Sequence, residues 1–250
     1  MSLNEPRHRD LILKQLRFKL NANAGSFTVF VILQLFALLF SFPSESSSHF
    51  FNEQSSITLL TVSGSVHTVF LFLWALFSGA SLGNHQKWDE AFAFVTTRPI
   101  HHLSNLYYMI MASVMTGFAV SLISPALRLL THLRYGEVDV LTSTITEAPS
   151  QFFLQLITAI SYAFLFFMIG YAIGSYAQTG KTYGGMIIML FLGFIFFMTF
   201  ILGMQAVVAI LIFFTQETFL LFFLMKIIST SAILFAFSIF TTSRIEVRHS

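Results

Sequence analysis

Long apolar runs without ionisable side chains constrain the fold of this chain more than any other feature. No Asp, Glu, Lys, Arg or His occurs from Met186 to Phe214. An α-helix needs about 20 apolar residues to cross a bilayer, whereas a membrane strand alternates apolar and polar residues over about 10 positions. Only 10% of the residues are charged, against about 25% in a soluble domain. The sequence therefore predicts an all-α integral membrane protein.

The apolar runs divide into about six predicted transmembrane helices within a single domain over residues 1–250. Their predicted bounds are Gly25–Phe42, Ile57–Ala80, Leu103–Ser124, Phe152–Tyr176, Gly184–Phe214 and Phe219–Thr241. Residues 25–80 hold the first two spans, and residues 152–241 hold the last three. The polar connections between these parts are residues 81–103 and 125–150. In the second connection, a short helix is expected over Arg128–Tyr135, ended by Gly136.

The N-terminal residues 1–24 carry the pattern of an amphipathic helix on a membrane surface. Ile12, Leu16 and Leu20 recur at intervals of four between Glu5 and Leu20, which places them on one helical face. The cations expected to hold this helix to anionic lipid are Arg7, Arg9, Lys14, Arg17 and Lys19. Each would contribute on the order of 1 kcal/mol near the surface. The alternative is a solvated basic tail.

The distribution of lysine and arginine predicts the orientation of the chain. With a cytoplasmic N-terminus, the outer loops carry only Arg128 and Arg134. The inner cations after the N-terminal helix are then Lys87, Arg98, Lys181, Arg244 and Arg248. The sequence thus predicts a multi-pass protein of the cell membrane, with both termini, the tail at residues 242–250 and the connection at residues 81–103 in the cytoplasm.

The stretch from Lys87 to Leu103 reads KWDEAFAFVTTRPIHHL and predicts a short cytoplasmic helix between the second and third spans. Asp89 and Glu90 suit the positive end of the helix dipole, and Pro99 disfavours a helical conformation at the residue before it. Phe92 and Phe94 would each gain roughly 1.5–3 kcal/mol from full burial. This predicted helix, over Asp89–Thr97, is therefore expected to dock onto a soluble partner. The alternative is a plain loop.

Several kinds of site are disfavoured by residue spacing. The segment GSYAQTGKT, from Gly174 to Thr182, has its first glycine one position too early for a phosphate-binding loop and follows a predicted membrane helix where that loop follows a strand. His101 and His102 are adjacent, so on a helix they point about 100° apart. The chain contains no cysteine, which excludes disulfides and thiolate metal sites. We therefore expect no catalytic residues, no metal and no bound cofactor in this chain.

Three polar residues inside predicted spans are candidates for a translocation path: Lys226, Gln205 and His67. A charge at the centre of a membrane helix costs about 2.5–3.5 kcal/mol. Lys226 either lines a path or extends its stem towards the outer surface. His67 is either a hydrogen-bonded contact between helices or a ligand. Gly170 and Gly174 have GxxxG spacing, which favours close helix packing.

The overall pattern resembles the permease subunits of the ABC-2 type exporter family. The topology of about six spans, the N-terminal helix and the cytoplasmic segment carry the resemblance, and the closest local match is that segment. In the family it begins with an acidic residue and ends in a proline followed by an apolar and a basic residue. The corresponding residues here are Glu90, Phe94, Thr96, Thr97, Pro99, Ile100 and His101, with Arg98 before the proline. The family's usual glycine-threonine-leucine-glutamate start is replaced by Lys87-Trp88-Asp89-Glu90.

The resemblance implies a particular assembly. A cytosolic ABC ATPase subunit would bind ATP and Mg²⁺, and a second permease subunit, identical or related, would complete the core. The residues implied in coupling to the ATPase are Asp89, Glu90, Phe92, Phe94, Thr96, Thr97, Arg98 and Pro99. The N-terminal helix would be the family's elbow helix. No nucleic acid is expected as a partner.

The expected function is thus ATP-driven export of an amphipathic or apolar substrate, such as a peptide, lipid or drug, across a cell membrane, expected to be bacterial. One alternative is a membrane anchor or sensor that binds a soluble regulator without transport. Another is an integral-membrane enzyme, which is disfavoured because no pair of carboxylates or convergent histidines occurs at helical spacing. The residues leave the identity of the substrate and the direction of transport open.

Overall fold

The computed structural model describes residues 8–41, 46–52, 55–61, 64–83, 98–135, 149–177, 212–213, 216–217 and 219–243. Within these ranges the regular elements are helices and one antiparallel pair of strands, called the hairpin below. The helices are α1 (His8–Ala22), α2 (Ala24–Ser41), α3 (Ser65–Leu82), α4 (Arg98–Tyr135), α5 (Pro149–Ala177) and α6 (Leu220–Ser243). The hairpin consists of β1 (Ser46–Asn52) and β2 (Ser55–Thr61).

Four of the described helices are long and apolar enough to cross a membrane, and a fifth span is added if α1 and α2 are counted as one broken helix. The four candidate spans are Ser65–Leu82, Pro99–Leu127, Pro149–Ala177 and Leu220–Thr242. They overlap the predicted second, third, fourth and sixth spans. The predicted fifth span, Gly184–Phe214, lies outside the described residues except for its positions 212–213. The apolar helices indicate a membrane protein.

The first part of the predicted second span is wrong, because Ile57 to Thr61 form strand β2. This strand pairs with β1 in antiparallel register, with Phe50 opposite Ile57 and Asn52 opposite Ser55. The apolar run is interrupted after these residues at Ser63 and Gly64. The Gly64 carbonyl accepts the Thr68 amide at 3.1 Å and so begins the hydrogen-bond ladder of α3. Five β-prone or apolar residues before that break are too few for a span and suit a short strand.

The predicted outer loop over residues 125–150 is also wrong in its first part. Helix α4 continues without interruption through Pro125 to Tyr135, so the helix expected over Arg128–Tyr135 belongs to the third span's own helix. A proline removes one backbone donor from a helix, but neighbouring groups commonly compensate in membrane helices. The start differs as well: α4 begins at Arg98, and Pro99 lies in its first turn, where a missing amide hydrogen has no cost.

Helices α1 and α2 meet at a sharp corner at Asn23. Their axes, taken over Leu11–Ala22 and Ala24–Phe40, differ by 51°. The Asn23 side chain donates from Nδ2 to the Lys19 carbonyl at 2.9 Å, and its own carbonyl accepts the Ser26 amide at 2.9 Å. Asparagine suits this position because its short side chain replaces a helical hydrogen bond at a turn.

The chain divides into two compact units, and α3, α4 and α5 each contribute residues to both. The unit formed by Leu13–Ala75 and Leu106–Phe164 contains an aromatic cluster around Trp74. The Trp74 indole Nε1 donates to the Ser26 carbonyl at 3.0 Å. The indole lies 4.6 Å from the Phe30 ring and 6.1 Å from the Phe27 ring, measured between centroids. Trp74 therefore attaches α3 to the start of α2.

The other unit, formed by Met1–Ile12, Leu76–Asn105 and Leu165–Ser250, contains a close approach between the backbones of α3 and α5. A methyl group built on Gly170 would lie 2.9 Å from the Ala80 nitrogen, and one built on Gly174 would lie 2.9 Å from the Ala80 carbonyl carbon. On α3, one built on Gly79 would lie 3.0 Å from the Phe167 carbonyl carbon. Only glycine allows such proximity, which is the packing that GxxxG spacing favours.

Candidate functional site

The candidate functional site is a buried polar cluster in the same unit, at the start of α4 and near the end of α5. His101 and Asn105 are four residues apart in α4, so they lie on one face of the helix. His102 follows on α4, and Tyr171 comes from α5. The exposed fractions of the four side chains are 2% for His101, 5% for His102, 1% for Asn105 and 0% for Tyr171. Polar side chains buried to this degree need hydrogen-bond partners.

The four side chains form one hydrogen-bonded chain. The Asn105 Nδ2 lies 3.1 Å from His101 Nε2 and donates to Tyr171 Oη at 3.2 Å. The Tyr171 Oη lies 2.7 Å from His102 Nδ1. Tyr171 also forms a side-chain hydrogen bond with Ser175, one turn further along α5. The cluster therefore fastens the first turns of α4 to the last turns of α5.

Aromatic contacts add α6 to the same cluster. The ring of Phe235 is stacked on Tyr171 with centroids 6.3 Å apart, and it meets the His102 ring edge-on at 6.4 Å. Tyr176 of α5 is stacked in the same way on Phe237 of α6, at 6.0 Å. Such pairs contribute about 0.5–1.5 kcal/mol each beyond the area that they bury. Three helices thus converge on one polar and aromatic centre.

The sequence disfavours His101 and His102 as metal ligands and matches His101 to the basic residue at the end of the coupling segment, and the structure places both side chains in the polar cluster. Within the part of the chain that the structure describes, no group of three His, Cys, Asp or Glu side chains could hold a metal ion. The cluster depends on Asn105 and Tyr171, which the sequence analysis did not identify. One signal was present: His101, Asn105 and Tyr171 are polar residues within apolar helices, and such residues usually face the interior of the bundle.

The residues expected to couple the chain to a partner are described only in part. Asp89, Glu90, Phe92, Phe94, Thr96 and Thr97 lie outside the described residues, while Arg98 and Pro99 form the start of α4. The described helices therefore flank this segment on both sides. Helix α3 ends at Leu82 before it, and α4 begins at Arg98 after it. Both flanking helix ends contact α5 in the same unit, α3 through its glycines and α4 through the polar cluster.

The N-terminal cations are placed unequally. Arg7 lies outside the described residues, and Arg9 is in α1. Lys14 and Arg17 are exposed, as surface anchoring requires. Lys19 is only 6% exposed, so its side chain is not presented to solvent or lipid headgroups in the way expected of an anchor. Anchoring by Lys14 and Arg17 stays a prediction.

Of the polar residues proposed for a translocation path, Gln205 lies outside the described residues. His67 is 2% exposed near the start of α3, and neither of its ring nitrogens has a hydrogen-bond partner among the described residues. The structure therefore does not show the hydrogen-bonded contact between helices, and both interpretations of His67 stay predictions.

Lys226 is engaged with groups before the N-terminal end of α6 rather than directed along the helix. Its ammonium forms an ion pair with Glu217, donates to the Phe213 carbonyl at 3.1 Å and lies 3.8 Å from the centroid of the Phe213 ring. Glu217 precedes the first turn of α6, so the stem of Lys226 runs back towards that end. This geometry favours the snorkelling interpretation of Lys226.

The Lys226 contacts predict an asymmetry between two single substitutions. Lys226→Met removes a charge from an apolar helix and is expected to change the stability by less than about 1 kcal/mol. Glu217→Gln leaves the ammonium without its carboxylate and is expected to lower the apparent unfolding temperature in lipid nanodiscs by more. A larger loss for Lys226→Met would contradict the assignment of Lys226 to this pair.

Comparisons with family models, with curated proteins and with solved structures give no match for the chain. The case for its function therefore comes from its own residues and geometry.

Proposed function

We propose that the chain is the permease subunit of an ABC exporter of the ABC-2 type. It moves an amphipathic or apolar substrate across the cell membrane by alternating access, and a separate cytosolic ATPase supplies the energy. The core is completed by a second permease subunit. The N-terminal helix lies at the cytoplasmic membrane surface, both termini are cytoplasmic, and six helices cross the bilayer.

The observation that carries this proposal is the segment from Glu90 to His101, which resembles the coupling helix of that family. Its acidic start, apolar middle and proline-basic end follow the family order. The start of α4 at Arg98 supports the proposal, because the segment then leads without a further connection into a helix that is fastened at His102 and Asn105.

The packing of the flanking helices supports a mechanical role for the segment. A force applied between residues 84 and 97 acts on the end of α3 and the start of α4, both of which contact the last turns of α5. Packed elements of this kind move as units because their interfaces do not deform continuously. In the proposed mechanism, ATP-driven movement of the partner displaces α3, α4 and α5 together at this end.

The exporter proposal is tested by charge reversal in the coupling segment. We expect Glu90→Arg to reduce the ATP hydrolysis of a complex with the ATPase encoded beside this chain by at least about tenfold, because a reversed charge at a docked helix end repels the partner's basic groups. Glu45→Arg is the matched control, since it makes the same change in a predicted outer loop. ATP hydrolysis and copurification are measured for each complex in nanodiscs.

Two outcomes oppose the proposal in different ways. Equal hydrolysis and assembly in Glu90→Arg and the wild type would remove the coupling assignment. Normal assembly with an ATPase but no substrate-dependent transport in vesicles would favour the anchor or sensor alternative.

A further inference from the structure

The hydrogen-bonded chain His101–Asn105–Tyr171–His102 can run in two directions. In the direction that the structure shows, the Asn105 NH₂ donates to His101 Nε2 and to Tyr171 Oη. An NH₂ group can only donate, so the facing nitrogen of His101 accepts and carries no hydrogen. When the Tyr171 proton is directed along the chain, the hydroxyl donates to His102 Nδ1, 2.7 Å away, and this nitrogen also carries no hydrogen.

The second direction arises when the Asn105 amide turns by 180° and exchanges its oxygen with its NH₂. The Asn105 Oδ1 then accepts from His101 Nε2–H and from the Tyr171 hydroxyl, and Tyr171 Oη accepts from His102 Nδ1–H. The three bonds that join the four side chains keep their partners, but the facing nitrogens of both histidines now carry hydrogen. The same heavy-atom positions, with Cα atoms unmoved, therefore serve two protonation states.

Unless the Tyr171 hydroxyl turns to Ser175, only the second direction accommodates a proton on His102 Nδ1. An imidazolium at His102 donates from both ring nitrogens. In the first direction its Nδ1–H and the Tyr171 hydroxyl hydrogen would point at each other, and no hydrogen bond could form between them. When Tyr171 instead donates to Asn105, the amide must present its oxygen, and His101 must then present Nε2–H. The state of His101 thus depends on the proton at His102, although the two facing nitrogens are separated by two other side chains.

We propose that His101 and His102 form a proton-binding site that takes up one proton at His102 Nδ1 while His101 changes its tautomer. The proton arrives from the aqueous face next to the start of α4 and stays on His102, which becomes imidazolium. His101 remains neutral and moves its own proton from Nδ1 to Nε2 by exchange with water. A second imidazolium is disfavoured because the two rings have centroids only 5.8 Å apart, and like charges repel in a buried site.

Arg98 is one charged residue that could control this titration, because it lies four residues before His102 in α4, about one helical turn. His101 and Tyr171 are the titratable groups that contact the His102 side from α4 and α5, and α6 contributes the apolar ring of Phe235. In this unit, the charged side chains that the structure describes are Lys226 and Glu217. Lys226 lies nine residues before Phe235 in α6, about 14 Å along the helix axis.

Ser175 provides one competing path for the phenolic proton. It forms a hydrogen bond with Tyr171, so the Tyr171 hydroxyl could turn to Ser175 when His102 is charged, and the Asn105 amide would stay in place. Ser175→Ala removes this path. The wild type and Ser175→Ala together therefore test the coupling with and without the competitor.

The test uses the full-length protein with ¹⁵N-labelled histidine in nanodiscs, because imidazole nitrogen shifts distinguish charge and tautomer. Over a series of pH values, we expect His102 to become charged as the pH falls. In Ser175→Ala we expect His101 to change fully from the Nδ1–H to the Nε2–H tautomer at the same midpoint. In the wild type the same change is expected to be smaller or equal, because Ser175 competes for the Tyr171 proton. Signals are assigned with His101→Gln and His102→Gln.

Tyr171→Phe is expected to separate the two events, because it removes the hydroxyl and keeps the ring stacked on Phe235. His102 should still titrate in this variant, whereas His101 should keep one tautomer throughout. Asn105→Leu should have the same effect and serves if Tyr171→Phe does not fold. Ser113→Ala, which removes a hydroxyl bonded to the Met109 carbonyl of its own helix, should leave both events unchanged.

Three outcomes would overturn the proposal. They are a single tautomer of His101 in both the wild type and Ser175→Ala, an unchanged tautomer shift in Tyr171→Phe, or no titration of His102.

Discussion

Replacement of Gly170 by alanine is expected to lower the apparent unfolding temperature of the protein in nanodiscs, whereas the same replacement at Gly25 is expected to raise it. A methyl group on Gly170 would come closer than 3.0 Å to backbone atoms of Leu76 and Ala80, and one on Gly25 would meet nothing within 4 Å. Backbone atoms of packed helices cannot turn aside as flexible side chains do. The two helices must therefore move apart to accept the methyl group.

The expected changes in the free energy of unfolding have opposite signs for Gly170→Ala and Gly25→Ala. Extra volume in a packed interior typically costs about 1–3 kcal/mol, and Gly170→Ala also separates α3 from α5 along the contact at Gly174. Alanine in place of a helical glycine with free space stabilises by up to about 1 kcal/mol, because the unfolded chain loses conformational freedom. Gly25→Ala is thus a control for helix propensity alone. Equal shifts in the two variants would show that the α3–α5 approach is not close in the membrane.

Larger side chains at the same position extend the prediction to the candidate site. Gly170→Leu is expected to abolish folding or to disconnect Tyr171, its neighbour in α5, from His102. Because α3 and α4 both contact this end of α5, the effect should reach both flanks of the coupling segment. Under the exporter proposal, any Gly170→Ala protein that folds should hydrolyse ATP with weaker dependence on substrate.

The GxxxG spacing at Gly170 and Gly174 can be read from the sequence. A second pair of glycines with this spacing can be read as well. Gly79 in α3 and Gly83 directly after its end have the same spacing, and methyl groups built on them would approach the α5 backbone. One such motif is common in membrane sequences. Two motifs at the corresponding ends of the predicted second and fourth spans are more specific, because close helix packing needs small residues on both surfaces.

Other features could not be read from hydropathy, since hydropathy measures solvent preference and not backbone geometry. The segment from Ile57 to Thr61 is apolar in either conformation, and its pairing with Ser46–Asn52 is set by partners distant in sequence. Pro125 indicates a helix end in a soluble protein, but α4 continues past it, because lost backbone bonds are often compensated in membrane helices. The polar cluster required knowledge that α4 and α5 are neighbours.

Truncation of Trp74 is the second substitution for which a large effect is expected. The indole is 4% exposed, donates to the Ser26 carbonyl and packs on Phe27 and Phe30. Phe or Trp to Ala substitutions cost about 3–5 kcal/mol in soluble cores. In a membrane the unfolded helices remain in lipid, so the transfer from water contributes little, and lost packing contributes most of the effect. Trp74→Ala is therefore expected near the lower end of that range.

Two further variants separate the effect of the Trp74 hydrogen bond from that of its buried aromatic ring. Trp74→Phe keeps an aromatic ring against Phe30 and removes the hydrogen bond to Ser26, so it should cost about 0.5–1.5 kcal/mol. Phe77→Ala removes an aromatic side chain from the same helix at a position that is 67% exposed, and it should change the stability little.

The measurement is the apparent unfolding temperature in nanodiscs, together with protease cleavage near Asn23. Trp74→Ala should expose this corner to cleavage and Phe77→Ala should not, because Trp74 fastens the start of α2 to α3. Equal protection in the two variants would mean that the α1–α2 corner is held by contacts other than Trp74.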